Sequence, residues 1–304
     1  MPRVSVIIPT YNQARFIPAT ISSVLEQTYK DFEIIVIDDG STDDTQKELE
    51  RFGSKIKVIL QPNSERAVSR NNGVKNSTGA YIAFLDSDDL WSPDKLEKQV
   101  EVLDNLKDIV LVYGQSYRIN DKGEQIKSAK RQMHGFSGNV FEKLLMRNFI
   151  VSATPMIKRE DFDKTAGFQT KYIPYEDWEF WLRFSLLGEF YFLPTPMSYY
   201  RIHPEQSVKQ ATAENIERVT NLLLEDSFKL EETSEDIIRK SLGLANLRYC
   251  YWYLLANQIT IAKEKINKAL SLYPQFLKDP RWIGLKTVCQ FPVLKNVFGL
   301  EQYH

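Results

Sequence analysis

The stretch "AYIAFLDSDDLWSPDKLEKQV", residues 80–100, carries an unbroken apolar run, Tyr81 to Leu85, straight into three carboxylates, Asp86, Asp88 and Asp89. A short apolar run bounded by charge reads as a strand buried on both faces. Carboxylates crowded at the mouth of such a strand repel one another and tend to take up protons. Helix capping and first-turn charge, worth ~0.3–1 kcal/mol each, account for one acidic residue here and for Asp94, but not for Asp86 and Asp88 together. A divalent cation shared with a ligand resolves the conflict, and hard oxygen donors suit Mg2+ or Mn2+ with open positions for substrate phosphates.

Upstream, strand and helix signals alternate. Val4 to Pro9 is an apolar, β-branched run, and Ile17, Ile21, Val24 and Leu25 form one stripe of a helix. Phe32 to Ile37 is a second strand ending in Asp38 and Asp39, and Ser41 or Thr42 is placed to cap a helix over 43–52. Ile56 to Leu60, a helix over 66–76 and then Tyr81 to Leu85 continue the series. This order predicts an α/β fold with parallel strands joined by right-handed crossovers. In such sheets ligands sit beyond the carboxyl ends of the strands, and Pro9 to Asn12, Asp38 to Asp39 and Asp86 to Asp89 all fall there.

Downstream, Ser92 with Pro93 at the first helical position opens a helix to about Leu106. Ile109 to Ile119 and Glu124 to Lys130, joined by Asn120 to Gly123, read as a hairpin. A helix over 140–147, a strand over 153–158, a helix over 176–187 and a strand over 191–200 complete this part. From about Ala211 proline and glycine thin out and amphipathic segments take over, which places a domain over 1–210 and an all-α region over 211–304. Within it "AKEKINKALSLYPQF" resembles the second helix of a tetratricopeptide unit, but a single match does not make a repeat array.

Of 304 residues, 43% are hydrophobic and 26% charged, with a net charge of -1, so no overall positive field argues for nucleic acid. The cysteines, Cys250 and Cys289, have no metal-ligand spacing and are too few for a disulfide framework, which favours a reducing compartment. No secretory pattern is read at the N-terminus and no apolar run reaches the ~20 residues of a spanning helix. A soluble cytoplasmic protein is expected. Peripheral contact with the inner face of a membrane through the stretch 282–297, or self-association through the helical region, is left open.

"VSVIIPTYN" (4–12), "VIDDGSTDDT" (36–45), "SRNNGVKNSTGAYIAFLDSDD" (69–89) and "YEDWEFWLR" (175–183), in that order, resemble a family 2 glycosyltransferase of the GT-A fold over about residues 1–205. The resemblance implies a Rossmann-like, mostly parallel sheet, a nucleotide-sugar donor, UDP-linked, and a sugar, lipid-linked or protein acceptor. It implies that Pro9, Thr10 and Tyr11 line the base pocket, that Asp39 accepts from uracil, and that Arg70, helped by Arg66, faces the nucleotide. Asp86-Ser87-Asp88 matches the family's DxD motif, with Asp86 near the ribose and Asp88 on the metal, joined there by His203. Glu176-Asp177 matches the acidic pair, with Asp177 the catalytic base and Glu176 on the acceptor side. Trp178 and Trp181 are candidates for an apolar wall under a sugar ring, with core packing the better fit for Trp181 on the apolar stripe, and Trp91 divides between the same two roles. Ser69 stands where the family usually has alanine.

A base opposite the leaving group implies one in-line displacement and inversion. A nicotinamide dehydrogenase is disfavoured because "PTYNQA" follows the first strand in place of G-x-G-x-x-G. A nucleotidyltransferase shares the sheet and metal chemistry and differs in releasing pyrophosphate. A nucleotide-sugar-binding or scaffold protein acting through the helical region is the alternative from another class.

Overall fold

β1 (Val4–Thr10) is buried at every position and forms the spine of the sheet. The computed structural model describes residues 1–126, 135–206, 211–278, 284–285 and 287–289. β1 pairs in parallel with β2 (Phe32–Asp38) and β4 (Tyr81–Phe84), and β2 pairs in parallel with β3 (Lys57–Leu60). α1 (Ile17–Leu25), α2 (Thr45–Glu50) and α3 (Arg66–Lys75) make the crossovers. Strands covered on both faces need apolar residues at successive positions, which is why these segments read as continuous runs. Gly73 lets α3 lie against β1, since a Cβ there would stand 2.3 Å from Ile7 Cγ2.

Beyond β4 the sheet becomes mixed. β5 (Leu90–Trp91), β6 (Ile109–Ile119), β7 (Met156–Lys158) and β8 (Glu189–Arg201) extend it to the order β3-β2-β1-β4-β7-β6-β8-β5 among the described residues. β7 is antiparallel to both neighbours, β8 runs parallel to β6, and β5 is antiparallel to β8. α4 (Lys95–Asn105) covers β6. α5 (Phe141–Met146), α6 (Arg159–Phe162) and α7 (Glu176–Phe184) follow in the chain.

Several local expectations change. The Asn120–Gly123 turn forms, and its returning arm bonds through Ile126 N–H to Arg118 C=O, but residues 124–126 hold only a bridge, Ile119 to Gln125. The rest of that expected strand lies outside the described residues. α4 starts at Lys95 with Asp94 before it and no side-chain cap, while Ser92 N–H donates to Met197 C=O on β8. A first-turn donor without a partner inside the helix is met from the segment after α1, where Gln27 Oε1 accepts Leu96 N–H at 3.0 Å. Ser41 and Thr42 do not cap α2. Ser41 Oγ accepts Asn12 N–H, Thr42 N–H goes to Asn12 Oδ1, and Asp43 accepts Thr45 N–H in their place.

The chain divides into two compact units, one of residues 1–141 with 148–206, the other of 142–147 with 207–304. The expected boundary at 210 falls in 207–210, outside the described residues. In the second unit α8 (Ala213–Ser227), α9 (Glu235–Leu255) and α10 (Ile259–Leu272) are helical as read, and Thr212 and Ser234 cap α8 and α9 with their side chains. Tyr249 and Tyr253 on α9 donate to Asn221 and Glu217 on α8. Cys250 and Cys289 are both free, with sulfurs 3.7 Å apart. No helix among the described residues is long and apolar enough to cross a membrane. Most of the stretch 282–297 lies outside the described residues.

Lys95 is fully buried, and its Nζ donates to Gln99 Oε1 and lies 3.9 Å from the centre of the Trp91 ring. Burial drives its pKa well below the ordinary lysine value, and the aromatic face offsets only part of that. The unfolded chain therefore holds this proton more tightly than the folded chain, so this site weakens the fold as pH falls. Lys95→Met is expected to raise Tm by a few degrees at pH 7, with the gain shrinking as pH rises toward the ordinary lysine range. Thermal melts at several pH values check this.

Candidate active site

The loop after β4 is pinned through its backbone. Thr20 Oγ1 on α1 lies within bonding distance of both Ser87 C=O (2.9 Å) and Asp89 C=O (2.8 Å), and Arg201 Nε donates to Asp88 C=O at 2.7 Å. Asp89 is fully buried and accepts Arg201 N–H at 2.8 Å. Burial, with Asp88 and Asp86 beside it, pushes its carboxyl well above the usual range, so Asp89 belongs to the scaffold of the loop. Asp86 and Asp88 are left as the side chains the loop presents.

Asp86 is held at both oxygens. Arg70 donates to Oδ1 at 2.8 Å and Ser152 to Oδ2 at 2.5 Å. Burial works to raise the Asp86 carboxyl, but the Arg70 guanidinium, the Ser152 hydroxyl and Arg66 outweigh it and hold the group below the ordinary carboxylate value. Asp88 Oδ2 lies 2.9 Å from His203 Nε2, and the His203 ring packs 4.9 Å from Phe16. A carboxylate oxygen and an imidazole nitrogen converging in this way fit a shared divalent cation, and the mixed O/N pair suits Mn2+ better than Mg2+. Among the described residues no three His, Cys, Asp or Glu side chains gather into a metal cage. An ion here would draw its remaining ligands from substrate or water.

Arg70, 3% exposed, reaches from Asp86 to Glu176, where a second nitrogen donates to Oε1 at 2.7 Å. Arg66 also meets Glu176, at 2.5 Å through Nε and 3.0 Å through a terminal nitrogen, and donates to Pro174 C=O. Both arginines, expected at the nucleotide, are tied to carboxylates in this way. Glu176 is 1% exposed and occupied by two guanidinium groups rather than open to an acceptor. Asp177 beside it is half-buried and accepts from Asn148 Nδ2 at 3.2 Å and from Trp178 N–H at 2.7 Å. Burial and the neighbouring Glu176 push its carboxyl up to about 6, against the pull of Arg70 and Arg66.

On the other side of β1, Thr10 is buried and Tyr11 is 45% exposed. Pro9 and Thr10 end the strand beside Ile37 and Asp38. Asp39 is buried, and its Oδ1 accepts Gln61 Nε2 at 2.6 Å and Ser64 N–H at 2.9 Å. The aromatic candidates turn inward. Trp178 is 2% exposed and meets Tyr175 edge to face, so it offers no open ring face as a wall for a sugar. Trp181 packs on Phe84 and Phe168, and Trp91 donates to Ala153 C=O. Asn148, Ser152, Gln61, Thr20 and Arg201 escaped the sequence reading, because single polar residues in loops and along strands leave no periodic or spaced signal.

The family model for glycosyl transferase family 2 matches residues 5–166. The chain belongs to this family. It is 32% identical over 214 residues to an uncharacterized glycosyltransferase of Rickettsia prowazekii, RP339, covering 69% of this chain and 67% of that one. It is 41% identical over 156 residues to RC0461 of Rickettsia conorii, which is 51% of this chain but only 25% of the relative. In fold it resembles Staphylococcus aureus TarS 1–349, solved with UDP-GlcNAc, at a TM-score of 0.65 and 17% identity, over 99% of this chain and 89% of TarS 1–349. It also resembles the mannosyltransferase PcManGT of Pyrobaculum calidifontis, solved with GDP-Man and Mn2+, at a TM-score of 0.62 and 18% identity, over 97% and 87% of the two chains. The chain thus carries a family 2 glycosyltransferase domain on a mixed, mostly parallel sheet.

Ser152 acts on Asp86 alone among the site carboxylates. Ser152→Ala is expected to raise the donor KM several-fold, with a loss of about 1–2 kcal/mol in kcat/KM and little change in Tm. Steady-state kinetics with a saturating acceptor measures it.

Proposed function

We propose that this chain is an inverting, metal-dependent transferase that moves a sugar from a UDP-linked donor to a hydroxyl acceptor of a polysaccharide or glycoconjugate. The observation that carries the reading is the Arg70 bridge. One guanidinium contacts Asp86 of the DxD triplet and Glu176 of the acidic pair, so the two acidic clusters, with Asp177 beside Glu176, are held together. The nucleotide sugars in TarS 1–349 and PcManGT, and the Mn2+ in the latter, support the donor class and the cofactor.

In this reading Tyr11 offers an exposed ring for the base to stack on, with Pro9 and Thr10 beside it. Asp39, whose Oδ1 is committed to Gln61 and Ser64, keeps Oδ2 to accept a uracil N–H. Asp88 and His203 would hold Mn2+ or Mg2+, which supplies charge stabilisation at the departing diphosphate when bound. Asp86, kept charged by Arg70 and Ser152, is an acceptor for ribose hydroxyls. Asp177 takes the proton of the incoming hydroxyl as it attacks. Its raised pKa suits this, because a general base works best when its pKa lies near the operating pH.

Two substitutions and one pH profile test the proposal, with UDP release as the readout. Asp88→Asn should lower kcat/KM at least ~10²-fold and blunt the response to Mn2+. Asp177→Asn should lower kcat ~10²- to 10⁴-fold. Its carboxyl is raised in the folded state, so the proton it holds favours folding below the ordinary carboxylate range, and that contribution is lost as pH rises through about 6. The Asn variant should therefore match or exceed the native Tm at pH 8. The native enzyme should show an acid limb, with kcat rising through about pH 6. Full activity of Asp88→Asn across the donors that the native enzyme accepts, or pyrophosphate in place of UDP, would overturn the assignment.

A further inference from the structure

Asp177 is gripped from two elements. Oδ1 accepts the N–H of Trp178, in the first turn of α7, and Oδ2 accepts Asn148 Nδ2, from the segment that follows α5. The orientation of the Asn148 amide is fixed by its other end, since Oδ1 accepts Ile150 N–H at 3.1 Å. Reversing the amide would set an oxygen against the carboxylate and a donor against a donor, losing both bonds. The charged groups facing Asp177 are Glu176 on its own helix and Arg70 and Arg66 on α3. Both arginines are engaged with Glu176, so Asn148 is the side-chain donor bonded to the base itself.

Resting on the reading of Asp177 as the base, we infer that Asn148 is the positioning residue of this transferase, holding the Asp177 carboxylate in the orientation that receives the acceptor proton. A carboxylate bonded at one oxygen rotates about its last torsion, whereas one bonded at both presents the same lone pairs throughout the reaction. The Asn148 N–H also favours the charged form, so its removal raises the pH at which the base becomes competent.

The test measures kcat and donor KM from about pH 5 to pH 9, with UDP release as readout, in the native protein, Asn148→Ala and Asn148→Asp. For Asn148→Ala, kcat should fall roughly 10-fold with an unchanged donor KM, and the acid limb should move to higher pH. Asn148→Asp is nearly isosteric and sets a second carboxylate against the first, so its limb should move up by about one pH unit or more. Melting with UDP and Mn2+ reports whether each variant keeps the folded donor site, and if Asn148→Ala fails to fold, Asn148→Asp decides. A fall in kcat with an unmoved limb marks a merely structural role and overturns the inference, as does native behaviour in both variants. Full activity of Asp177→Asn overturns the base assignment itself. An inactive Asp177→Asn beside indifferent Asn148 variants overturns this inference alone.

Discussion

Arg70 meets Asp86 with one nitrogen and Glu176 with another while almost wholly removed from water. Taking a guanidinium out of water costs several kcal/mol, and only well-placed carboxylates return it. Here two of them do, and they raise the arginine's pKa further above its ordinary value even though burial acts the other way. The carboxylates come from the end of β4 and the start of α7, elements that do not pair in the sheet. The bridge converts two distant chain segments into one site. Without Arg70, Asp86 would lose its paired guanidinium, and Glu176 one of its two.

Around that bridge the loop after β4 is held through its backbone as well as through the Asp86 carboxylate. Thr20, Arg201 and the Asp89 carboxylate hold the carbonyls and the adjoining strand. Asp88 can then lean toward His203, whose ring rests on Phe16, a residue that also carries the Arg201 guanidinium on its face at 4.9 Å. α1, β8 and the β4 loop therefore share one small aromatic and ionic junction. Asp88 and His203 thus approach one another from a backbone that other elements hold in place.

Much of this was legible in the sequence for reasons that differ by element. β1, β2 and β4 are covered on both faces, so continuous apolar runs announce them, and the carboxylates at their ends follow from the way such sheets bind ligands. β5 is two residues long and has no period to read. The start of α4 misled because Ser92 N–H bonds to Met197 C=O on β8 and a first-turn donor of the helix is met by Gln27 from the segment after α1, which no local pattern encodes. Arg66 and Arg70 were visible as charges but not as partners of Glu176. That pairing depends on how α3 and α7 approach. Trp178 read as a candidate wall for a sugar ring, yet its ring is buried against Tyr175, and sequence alone does not show which side of α7 meets the core.

The two acidic clusters end with opposite electrostatic characters from similar ingredients. Asp86 receives a guanidinium nitrogen and a hydroxyl, so its negative charge is kept despite burial. Asp177 lies as close to the same arginines in sequence space as Glu176 does, but Glu176 takes their nitrogens and adds its own repulsion, leaving Asp177 with two neutral N–H donors. Two adjacent carboxyl groups are in this way given different surroundings, one against guanidinium groups and the other against neutral N–H donors. The difference follows from which carboxylate the arginines reach first, and that is fixed by the packing of α3 against the first turn of α7.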